Sequence, residues 1–391
     1  MSKPKLFRIT TAPVSMSIIL RGQLKFMSQH FNVVGLTKKD NKHFQTIQER
    51  EGVRLIPLDL KRTISPLKDL LALIRLIRIL IMEKPEIVHT HTPKAGLIGM
   101  LASWVTRVPI RIHTVGGMPL MGLSGIKSKI VTFTEKLTYS CAHQVWPNSN
   151  GLMNWIENEG LCLPSKMKVI GKGASNGVNT KLFDRTHEDL TNVRHELRKE
   201  MGIGLEDIVF IFVGRIAKEK GMNELREAFT SLVEKNSNVH LLLIGLFEDE
   251  HGGMSALERE QLLKTKNVHW PGRSDDVRPY FAMSDIFLLP SYREGFPNAL
   301  MEAGSMGLPA IATDINGCNE IIQHQENGFL VPVKDVKSLK EAMTHLIENP
   351  TTTKEMGQKS RKLIENYFDN SILWKSMLSE YQSAINAITK T

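Results

Sequence analysis

The sequence contains few cysteines and no long apolar run. Its 391 residues include three cysteines, Cys141, Cys162 and Cys318, which are far apart and form no Cys-x-x-Cys pair. This spacing argues against a disulfide framework or a zinc site and fits a reducing cytosol. Charged side chains interrupt the most apolar stretch, residues 67–82, which is also shorter than a membrane span. The first residues have too short an apolar stretch for a signal peptide, so we expect a cytoplasmic protein without a transmembrane helix.

Two nucleotide-binding motifs are also absent. No strand is followed by G-x-G-x-x-G with an acidic residue about 20 positions further on, which argues against a dinucleotide-dependent oxidoreductase. Gly171 and Gly173 form a Gly-x-Gly sequence, but no Ser or Thr follows Lys172, so the spacing of a phosphate-binding P-loop is not met.

Negative charge is scarce in the first half of the chain. Residues 1–189 contain 27 Lys and Arg against 13 Asp and Glu, a net charge of +14, whereas the remainder contains 23 against 28, a net charge of −5. The basic half favours an anionic partner, namely a membrane surface, a lipid diphosphate or nucleic acid, with a merely solvated basic surface as the alternative. Nucleic acid is disfavoured because no aromatic and basic stacking pattern accompanies the charge.

What the sequence does contain is ordinary globular composition and one highly informative stretch. A chain of this length with 41% hydrophobic and 23% charged residues favours two domains. The stretch is residues 284–313, SDIFLLPSYREGFPNALMEAGSMGLPAIAT. Its apolar run at 286–289 predicts a buried parallel strand that ends at Pro290. Gly295 and Pro297 predict a tight loop after it.

Two carboxylates and a helix start follow this strand. Asn298 is a candidate N-cap, and the N–H groups of Asn298, Ala299 and Leu300 would open into the crevice at the carboxyl end of the strand. Glu294 lies on the loop, and Glu302 lies about two turns further along the helix. A diphosphate at the helix start, beside carboxylates that accept hydrogen bonds from sugar hydroxyls, predicts a nucleotide-sugar site. The alternative is a surface loop before an ordinary helix with a solvated Glu302.

A pair of cations follows another predicted strand, at residues 208–213. Gly214 and Arg215 end this strand, and Lys220 stands five residues after Arg215, at the start of a helix. Cations in this position can hold a diphosphate and neutralise the charge that develops on a leaving nucleotide. A surface turn with ion pairs is the alternative.

Histidines mark the N-terminal half. The predicted strand at residues 86–89 leads into HTHTPKAG, which places His91 and Lys94 at its carboxyl end, where ligands bind in parallel sheets. Lys94 could meet a phosphate of an acceptor near the start of the next helix. His89-x-His91 is a possible metal pair, but no further ligands accompany it, so we expect no metal.

These motifs together resemble a known family. The stretch at residues 291–313 reads S-x-x-EGFPNALMEA-x-x-x-GLP-x-IAT. It resembles the glutamate-x7-glutamate signature of the glycosyltransferase 4 family, whose members are retaining enzymes of the GT-B fold. HTHTPKAGLIG resembles the subgroup that builds capsular or lipid-linked oligosaccharides. The resemblance implies an α/β fold of two Rossmann-like domains facing across a cleft. It implies an acceptor-binding domain at residues 1–172, a nucleotide-sugar-binding domain at residues 173–371, and a last helix at about 372–391 that returns to the first domain.

The resemblance also implies the reaction. A hexose or N-acetylhexosamine would move, with retained configuration, from a nucleoside diphosphate sugar (UDP as the expected nucleotide) to a saccharide acceptor, expected to be lipid-linked. The product would belong to a capsule, O-antigen or other surface polysaccharide. Expected partners are the nucleotide sugar, the acceptor and a membrane surface touched by the basic N-terminal domain, which would place the protein peripherally on the inner face of the cell membrane. No metal and no cofactor are expected.

Residue roles carry over position by position. Glu294, Arg215 and Lys220 are the implied catalytic residues: Glu294 contacts sugar hydroxyls, and the two cations stabilise the departing diphosphate. Glu302 is implied to contact the ribose. The implied donor-binding residues are Gly214, Arg273, Phe296, Pro297, Asn298, Ala299, Leu300 and Glu302. The implied acceptor-side residues are His91, Lys94, His113, Gly116 and Gly117.

One departure from the family pattern concerns a histidine. Members often carry Thr-x-His after a strand, with the histidine facing the sugar, whereas this chain has Gly116 at that position. His113 stands three residues upstream, either as a substitute or as a buried strand histidine. Gly116 and Gly117 would let the backbone approach the acceptor closely.

Three alternatives stay open. An epimerase on the same fold would convert the nucleotide sugar without an acceptor. An inactive sugar-binding scaffold would need none of Glu294, Glu302, Arg215 and Lys220, so their joint presence argues against it. The helix predicted at residues 66–83 is expected to pack on the sheet, with a membrane-surface role as the alternative.

Overall fold

A computed structural model describes residues 3–61, 63, 65–117, 125–249 and 252–389. The chain packs as two units: unit 1 is Met1–Asn176 with Ser371–Thr391, and unit 2 is Gly177–Asn370. Each unit contains a six-stranded parallel sheet flanked by helices. The predicted α/β class with two Rossmann-like domains is confirmed.

Unit 1 alternates strands and helices along the chain. Its strands are β1 (Lys5–Ile9), β2 (Asn32–Thr37), β3 (Arg54–Pro57), β4 (Ile87–His91), β5 (Ile110–Val115) and β6 (Gln144–Pro147). Its first seven helices are α1 (Pro13–Ile19), α2 (Gln23–Ser28), α3 (Phe44–Glu51), α4 (Pro66–Glu83), α5 (Pro93–Val105), α6 (Gly125–Cys141) and α7 (Asn150–Asn158). The strand order is β3-β2-β1-β4-β5-β6.

Unit 2 repeats this plan. Its strands are β7 (Ile208–Val213), β8 (Val239–Ile244), β9 (Val268–Gly272), β10 (Ile286–Leu289), β11 (Ala310–Thr313) and β12 (Gly328–Val331), in the order β12-β11-β10-β7-β8-β9. Its helices are α8 (Val193–Glu200), α9 (Met222–Val233), α10 (Ala256–Lys264), α11 (Arg278–Met283), α12 (Asn298–Ser305), α13 (Cys318–Ile321), α14 (Val336–Glu348) and α15 (Pro350–Tyr367). The last helix, α16 (Asn370–Thr389), belongs to unit 1 from Ser371 onward.

Uniformly apolar strands explain why both sheets are covered on both faces. Every residue of β8 (VHLLLI) and of β10 (IFLL) is buried, which is the pattern of parallel strands between two helical layers. In unit 1, α4, α5 and α6 form one such layer, with α5 packed against both neighbours. On the other face, Tyr381 of α16 stacks on Trp146 of β6 at 5.5 Å between ring centroids.

The strand order creates a switch point in each sheet. The connection that leaves β1 runs to β2 on one side, and the connection that leaves β4 runs to β5 on the other side. In unit 2, the connections from β7 to β8 and from β10 to β11 diverge in the same manner. At such a point the loops after the two adjacent strands diverge and open a crevice at their carboxyl ends, where ligands of doubly wound sheets bind. Each unit therefore has one position at which a ligand site is expected.

Two local predictions need correction. The strand predicted at residues 86–89 is β4, which runs on to His91 because His89 and His91 are both buried and paired in the sheet. At α12 the N-cap is Pro297, with extended backbone, and Asn298 is already the first helical residue. Among the helices of the described residues, none has both the length and the apolarity needed to cross a bilayer.

Candidate active site

The carboxyl ends of β7 and β10 lie side by side at the switch point of unit 2. Ile286 and Phe287 of β10 pair with Phe210 and Ile211 of β7. Arg215 follows the end of β7 by two residues, and Glu294 follows the end of β10 by five. The two loops named by the sequence thus meet at one edge of the sheet, where a crevice is expected.

Lys220 and Glu294 form a largely buried ion pair at this edge. The Lys220 Nζ donates to Glu294 Oε1 at 2.6 Å, and the two side chains are 16% and 14% exposed. Ser291 Oγ donates to the same carboxylate oxygen at 2.7 Å. Two donors on one oxygen leave Oε2 of Glu294 as the oxygen with capacity for a sugar hydroxyl.

A glycine allows this close approach. Gly221 has a φ of 71°, and a Cβ built there would lie 2.0 Å from the carbonyl oxygen of Pro290. Any side chain would push the turn at Lys218–Lys220 away from the end of β10. Gly221 therefore fixes Lys220 against Glu294.

Arg215 lies in a more exposed network. It donates to Glu248 Oε2 at 2.5 Å and to Glu219 Oε1 at 2.8 Å, while Arg293 donates to Glu219 Oε2 at 2.7 Å. Partial burial opposes ionisation of Arg215, but its hydrogen bonds to the two glutamates outweigh that effect and raise its pKa. Because these pairs are exposed, their partners can be exchanged for a ligand at small cost.

The start of α12 adds backbone donors at the same edge. The first helical hydrogen bond runs from Met301 N–H to the Pro297 carbonyl at 3.4 Å, so the N–H groups of Asn298, Ala299 and Leu300 precede the helical ladder. Such a helix start attracts an anion. The neighbouring Phe296 is 8% exposed and packs on Phe368 at 5.5 Å between centroids, which anchors the loop.

Some of the predicted site residues lie in this network, and others lie apart from it. Arg215 and Arg293 both donate to Glu219, and Lys220 and Glu294, which follow Glu219 and Arg293 in sequence, pair with each other. Gly214 precedes Arg215 and donates its N–H to the Ile244 carbonyl at 2.9 Å, and Glu302 is half-buried on α12. Arg273 is exposed and pairs with Asp275 at 3.1 Å, apart from this network.

Five residues of the network were not named from the sequence. They are Glu219, Glu248, Ser291, Arg293 and Asn316, whose Nδ2 donates to the Gly295 carbonyl at 2.9 Å. The Ser-x-x-Glu spacing was a usable signal for Ser291. Asn316 arrives from the loop after β11, and its contact depends on tertiary packing that no local pattern shows.

Beneath the network lies a thiol. Burial, together with the nearby Glu294 carboxylate, raises the pKa of Cys318 well above its ordinary value. The thiol therefore stays protonated and adds no charge to the site. Within the described part of the chain, no three His, Cys, Asp or Glu side chains gather as a metal site would require. Arg215, Lys220 and Arg293 carry positive charge at this edge of the sheet.

Unit 2 also has a cavity of about 690 Å³, but at the other edge of its sheet. Its lining includes Ile208 and Ile286, the first residues of β7 and β10, together with Arg185 and Asp285. Ligands of doubly wound sheets bind at the carboxyl ends of strands, so position argues against this cavity as the nucleotide site despite its size.

The switch point of unit 1 opens onto a smaller pocket of about 310 Å³. Thr11 after β1 and Thr92 after β4 meet there, with their hydroxyl oxygens 2.7 Å apart. The pocket is lined by Ile19, His91, Thr92, Pro93, Thr114, Gly116, Gly117 and Ser175. It thus unites three of the predicted acceptor-side residues, His91, Gly116 and Gly117.

The other two predicted acceptor-side residues lie elsewhere. Lys94 forms an ion pair with Asp69 of α4 at 2.7 Å and donates to the Thr63 carbonyl at 2.6 Å. His113 lies under α5, where Gly96 leaves room for its ring, and its Nδ1 lies 2.8 Å from the Thr90 hydroxyl. His113 is therefore a buried strand histidine, which was the second of the two alternatives stated for it above.

A buried polar cluster lies behind His91. Arg8 is fully buried and donates from Nε to His91 Nε2 at 3.2 Å, while its Nη2 contacts Gln23 Oε1. Because an arginine can only donate, His91 Nε2 must accept, and the proton of the neutral ring sits on Nδ1. His91 Nδ1 and Arg8 Nη1 are buried without a partner among the described residues.

The same cluster continues to α16. His89 lies with Nδ1 2.5 Å from the Tyr381 hydroxyl and Nε2 2.7 Å from the Thr114 hydroxyl. Burial, reinforced by the neighbouring Arg8 and histidines, lowers the pKa of His89 and His91 well below the ordinary value. Both rings are therefore neutral at physiological pH and act as fixed hydrogen-bonding groups.

Two known families match the chain, one within each unit. Residues 29–173 match the family described as Glycosyl transferase 4-like domain, and residues 193–363 match Glycosyl transferases group 1. The second match contains every residue of the Arg215–Glu294 network, and the first contains the pocket of unit 1 except Ile19 and Ser175.

Individual relatives extend over most or nearly all of the chain. The capsular polysaccharide biosynthesis glycosyltransferase CapM of Staphylococcus aureus is 34% identical over 387 residues, 98% of each chain. An Escherichia coli UDP-Gal:alpha-D-GlcNAc-diphosphoundecaprenol alpha-1,3-galactosyltransferase is 30% identical, covering 79% of this chain and 78% of its own. The crystal structure of Anabaena Alr3699/HepE in complex with UDP is similar in fold, with a TM-score of 0.80 at 18% identity, over 97% of this chain and 100% of that one.

Proposed function

Since the chain belongs to the glycosyltransferase 4 family and is a GT-B glycosyltransferase, we propose that it transfers a hexose or N-acetylhexosamine from a UDP-sugar to a lipid-linked saccharide acceptor. The charge network at the carboxyl edge of unit 2 is the observation that supports a UDP-sugar site in that unit. It combines two cations, a helix start and the Glu294 carboxylate, which Lys220 and Ser291 both contact, on loops at one edge of the sheet.

The network suggests how the donor is held. In the free protein, Lys220 is neutralised by Glu294, and Arg215 by Glu219 and Glu248. We infer that the donor diphosphate takes hydrogen bonds from these cations and from the first N–H groups of α12. Glu294, still held by Ser291, then accepts hydrogen bonds from the sugar, and Glu302 accepts from the ribose.

The transfer step follows from these roles. The bond between the anomeric carbon and the diphosphate oxygen breaks, and the electron pair leaves with the nucleotide, where Arg215 and Lys220 stabilise the growing negative charge. The acceptor oxygen bonds to the same face of the sugar, and its proton passes to the departing phosphate oxygen. Cations fixed by the fold supply the charge that a metal ion would otherwise provide.

We place the acceptor at the pocket of unit 1. Its lining of Thr92, Thr114 and two glycines offers hydroxyls and exposed backbone to a saccharide. The Escherichia coli relative acts, by its name, on a sugar linked to diphosphoundecaprenol. An acceptor of this class lies in the membrane, so we propose that the protein works peripherally at its inner face in surface polysaccharide synthesis.

A panel of nucleotide sugars tests the proposal. UDP- and GDP-linked hexoses and N-acetylhexosamines would be incubated with the purified chain, with and without a bacterial lipid-diphosphate extract, and nucleotide release would be measured. We expect release from one UDP-sugar only when acceptor is present. Conversion of the donor without acceptor would indicate an epimerase instead, and binding without turnover on any acceptor would indicate the inactive scaffold.

A further inference from the structure

Arg8 holds the ring of His91 in one tautomer. Arg8 lies in β1 and is fully buried. Its Nε donates to His91 Nε2 at 3.2 Å, and its Nη2 lies 2.9 Å from the same nitrogen. A guanidinium has donors but no acceptor, so both contacts require His91 Nε2 to accept. The ring proton of His91 therefore sits on Nδ1.

The Nδ1–H group of His91 is an unused donor. Its nitrogen is buried and makes no hydrogen bond to any described residue, and His91 lines the pocket of unit 1. His89, two residues earlier on the same strand, has both ring nitrogens satisfied by the hydroxyls of Tyr381 and Thr114. Leaving a buried N–H unpaired is costly, so such a group in a pocket indicates a ligand atom that completes it.

Gln23 and Asn176 hold Arg8 in turn. Arg8 Nη2 contacts Gln23 Oε1, and Gln23 Nε2 donates to Asn176 Oδ1 at 3.0 Å. The same oxygen of Asn176 accepts from Trp374 Nε1 at 2.8 Å, and all four side chains belong to unit 1. Each amide has its oxygen on a donor, which fixes which way the amide points. Arg8 is thus a fixed support for the His91 ring.

This arrangement excludes His91 as a general base. Its Nε2 lone pair is used by Arg8, and its Nδ1 already carries the proton. A general base needs a free lone pair within hydrogen-bond reach of the proton that it takes. Burial, reinforced by the charge of Arg8, holds the pKa of His91 well below its ordinary value, so the ring gains no second proton near neutral pH. His91 can only donate one hydrogen bond.

A donor of this kind suits an oxygen that does not react. The acceptor hydroxyl that attacks the donor sugar is activated by a group that takes its proton, whereas a hydrogen bond donated to its oxygen would occupy the attacking lone pair. Another oxygen of the acceptor saccharide has no such conflict. A contact to it is made equally in the ground state and the transition state, so it acts on the acceptor KM and leaves kcat unchanged.

We propose that Arg8 is a positioning residue for the acceptor: it fixes His91 as a hydrogen-bond donor to a non-reacting oxygen of the saccharide in the pocket of unit 1. This role rests on the proposed function, because the acceptor saccharide is the ligand that the proposed function places there. A purely structural Arg8 would affect unfolding without any selective effect on the acceptor KM.

Nitrogen NMR of the full chain with isotopically labelled histidine tests the tautomer without either substrate. The technique distinguishes ring nitrogens that carry a proton from those that do not, and the signals of His91 are identified by their loss in His91→Asn. We expect Nδ1–H in the wild-type chain and in Arg8→Lys, which keeps a cationic donor, and we expect the Nε2–H form to appear in Arg8→Met. Nε2–H in the wild-type chain, or Nδ1–H alone in Arg8→Met, would overturn the proposal.

A soluble acceptor tests the contact itself. The acceptor probe is N-acetylglucosamine diphosphate carrying a short alkyl chain, a soluble form of the acceptor named for the Escherichia coli relative. Saturating acceptor probe should shift the Nδ1 signal of His91. Transfer by the wild-type chain with an unmoved Nδ1 signal would sink the positioning role alone. A shifted signal without transfer to any acceptor would support the role and contradict the proposed function.

Two variants of His91 locate the donor. The amide nitrogen of Asn can take the position of Nδ1, whereas the longer Gln places its amide near Nε2. His91→Asn should keep the acceptor KM within about threefold, and His91→Gln should raise it roughly tenfold or more, because the hydrogen bond to the saccharide is lost. The kcat and the donor KM should change little in both variants. Equal acceptor KM values, or a loss in kcat alone, would contradict the assigned contact.

Arg8 variants separate positioning from stability. Arg8→Met should raise the acceptor KM roughly tenfold, and Arg8→Lys should restore most of that loss. Leu76→Ala, which truncates a fully buried leucine of α4, is the matched control because it lowers the stability of unit 1 away from this cluster. Its acceptor KM should stay that of the wild-type chain. A rise in Leu76→Ala as large as in Arg8→Met would assign Arg8 to stability alone and overturn the proposal.

Discussion

The carboxyl edges of the two sheets handle charge in opposite ways. In unit 2, the exposed Arg215 and the largely buried Lys220 each pair with a charged glutamate on the loops after β7 and β10. In unit 1, Arg8 is fully buried, and its partners are the uncharged groups of His91, Gln23 and Tyr381. The first arrangement can exchange partners with an anionic ligand, whereas the second is a fixed support. The same sheet plan thus carries exchangeable ion pairs at the carboxyl edge of unit 2 and a fixed polar cluster behind the pocket of unit 1.

The largest expected effect concerns Glu294. Glu294→Gln keeps the size of the side chain but removes the charge that orders the sugar, so transfer should fall by about 10²–10³-fold while UDP affinity changes little. Initial rates at saturating donor and calorimetry with UDP measure the two quantities. Glu341→Gln on α14, an exposed member of a surface ion pair, is the matched control. Near wild-type transfer by Glu294→Gln would remove this residue from the mechanism.

Acid should weaken unit 1 before unit 2. Burial lowers the pKa of His113 to about 4, and it also lowers the pKa of His89 and His91 well below the ordinary value. Unfolded histidines bind protons first as the pH falls below about 6.5, so stability is constant above that pH and is lost between about 6.5 and 4. Each histidine contributes roughly 1.4 kcal/mol per pH unit in this window.

Tryptophan fluorescence can follow this loss, because four of the five tryptophans lie in unit 1. In unit 2, hydrogen bonds from Ser255 lower the pKa of Glu258 to about 2, so its stabilising effect is present above about pH 4.5 and lost only below it. His113→Gln should make the urea unfolding midpoint of unit 1 less dependent on pH. His345→Gln, which changes an exposed histidine, should leave that dependence unchanged. A midpoint independent of pH between 6.5 and 4 would contradict neutral buried histidines.

The exposed arginine of unit 2 should act on binding rather than stability. Arg215→Ala is expected to weaken UDP binding by roughly 10–50-fold, because one charge-assisted contact to the diphosphate is lost. The melting temperature should change little, since exposed ion pairs contribute little to folding. Calorimetry compares it with Lys337→Ala, which removes another exposed cation. Unchanged UDP affinity would move the phosphate site away from β7.

The smallest effect, in unit 1, should be on stability alone. Tyr381→Phe removes the hydroxyl that contacts His89, leaving a buried nitrogen without a partner, and should cost about 1–3 kcal/mol of unfolding free energy. Tyr367→Phe on α15, where the ring is 48% exposed, should stay within about 0.5 kcal/mol. If Tyr381→Phe left unfolding unchanged, the cluster would not be the fixed support described above.

The sequence predicted the architecture well because apolar runs and loop residues are local signals. The strand before Pro290 and the cations around Gly221 are adjacent in sequence to the features that define them.

Other parts of the site could not be predicted from the sequence. Glu219 and Arg293 meet only because β7 and β10 are neighbours in the sheet. The partner of Lys94 is Asp69, 25 residues earlier on another helix, and that choice depends on how α4 and α5 pack. Arg8 gave no signal at all, because a single arginine within a strand is ordinarily read as an exposed edge residue.

The most direct test of the central claim is hydrogen–deuterium exchange of the full chain with and without UDP. We expect slower exchange in the presence of UDP at residues 214–221 and 290–302, the two loops and the helix start at the carboxyl edge of unit 2. Unchanged exchange there, with protection instead at residues 184–186, 205–208 and 350–361 around the cavity at the opposite edge, would contradict it.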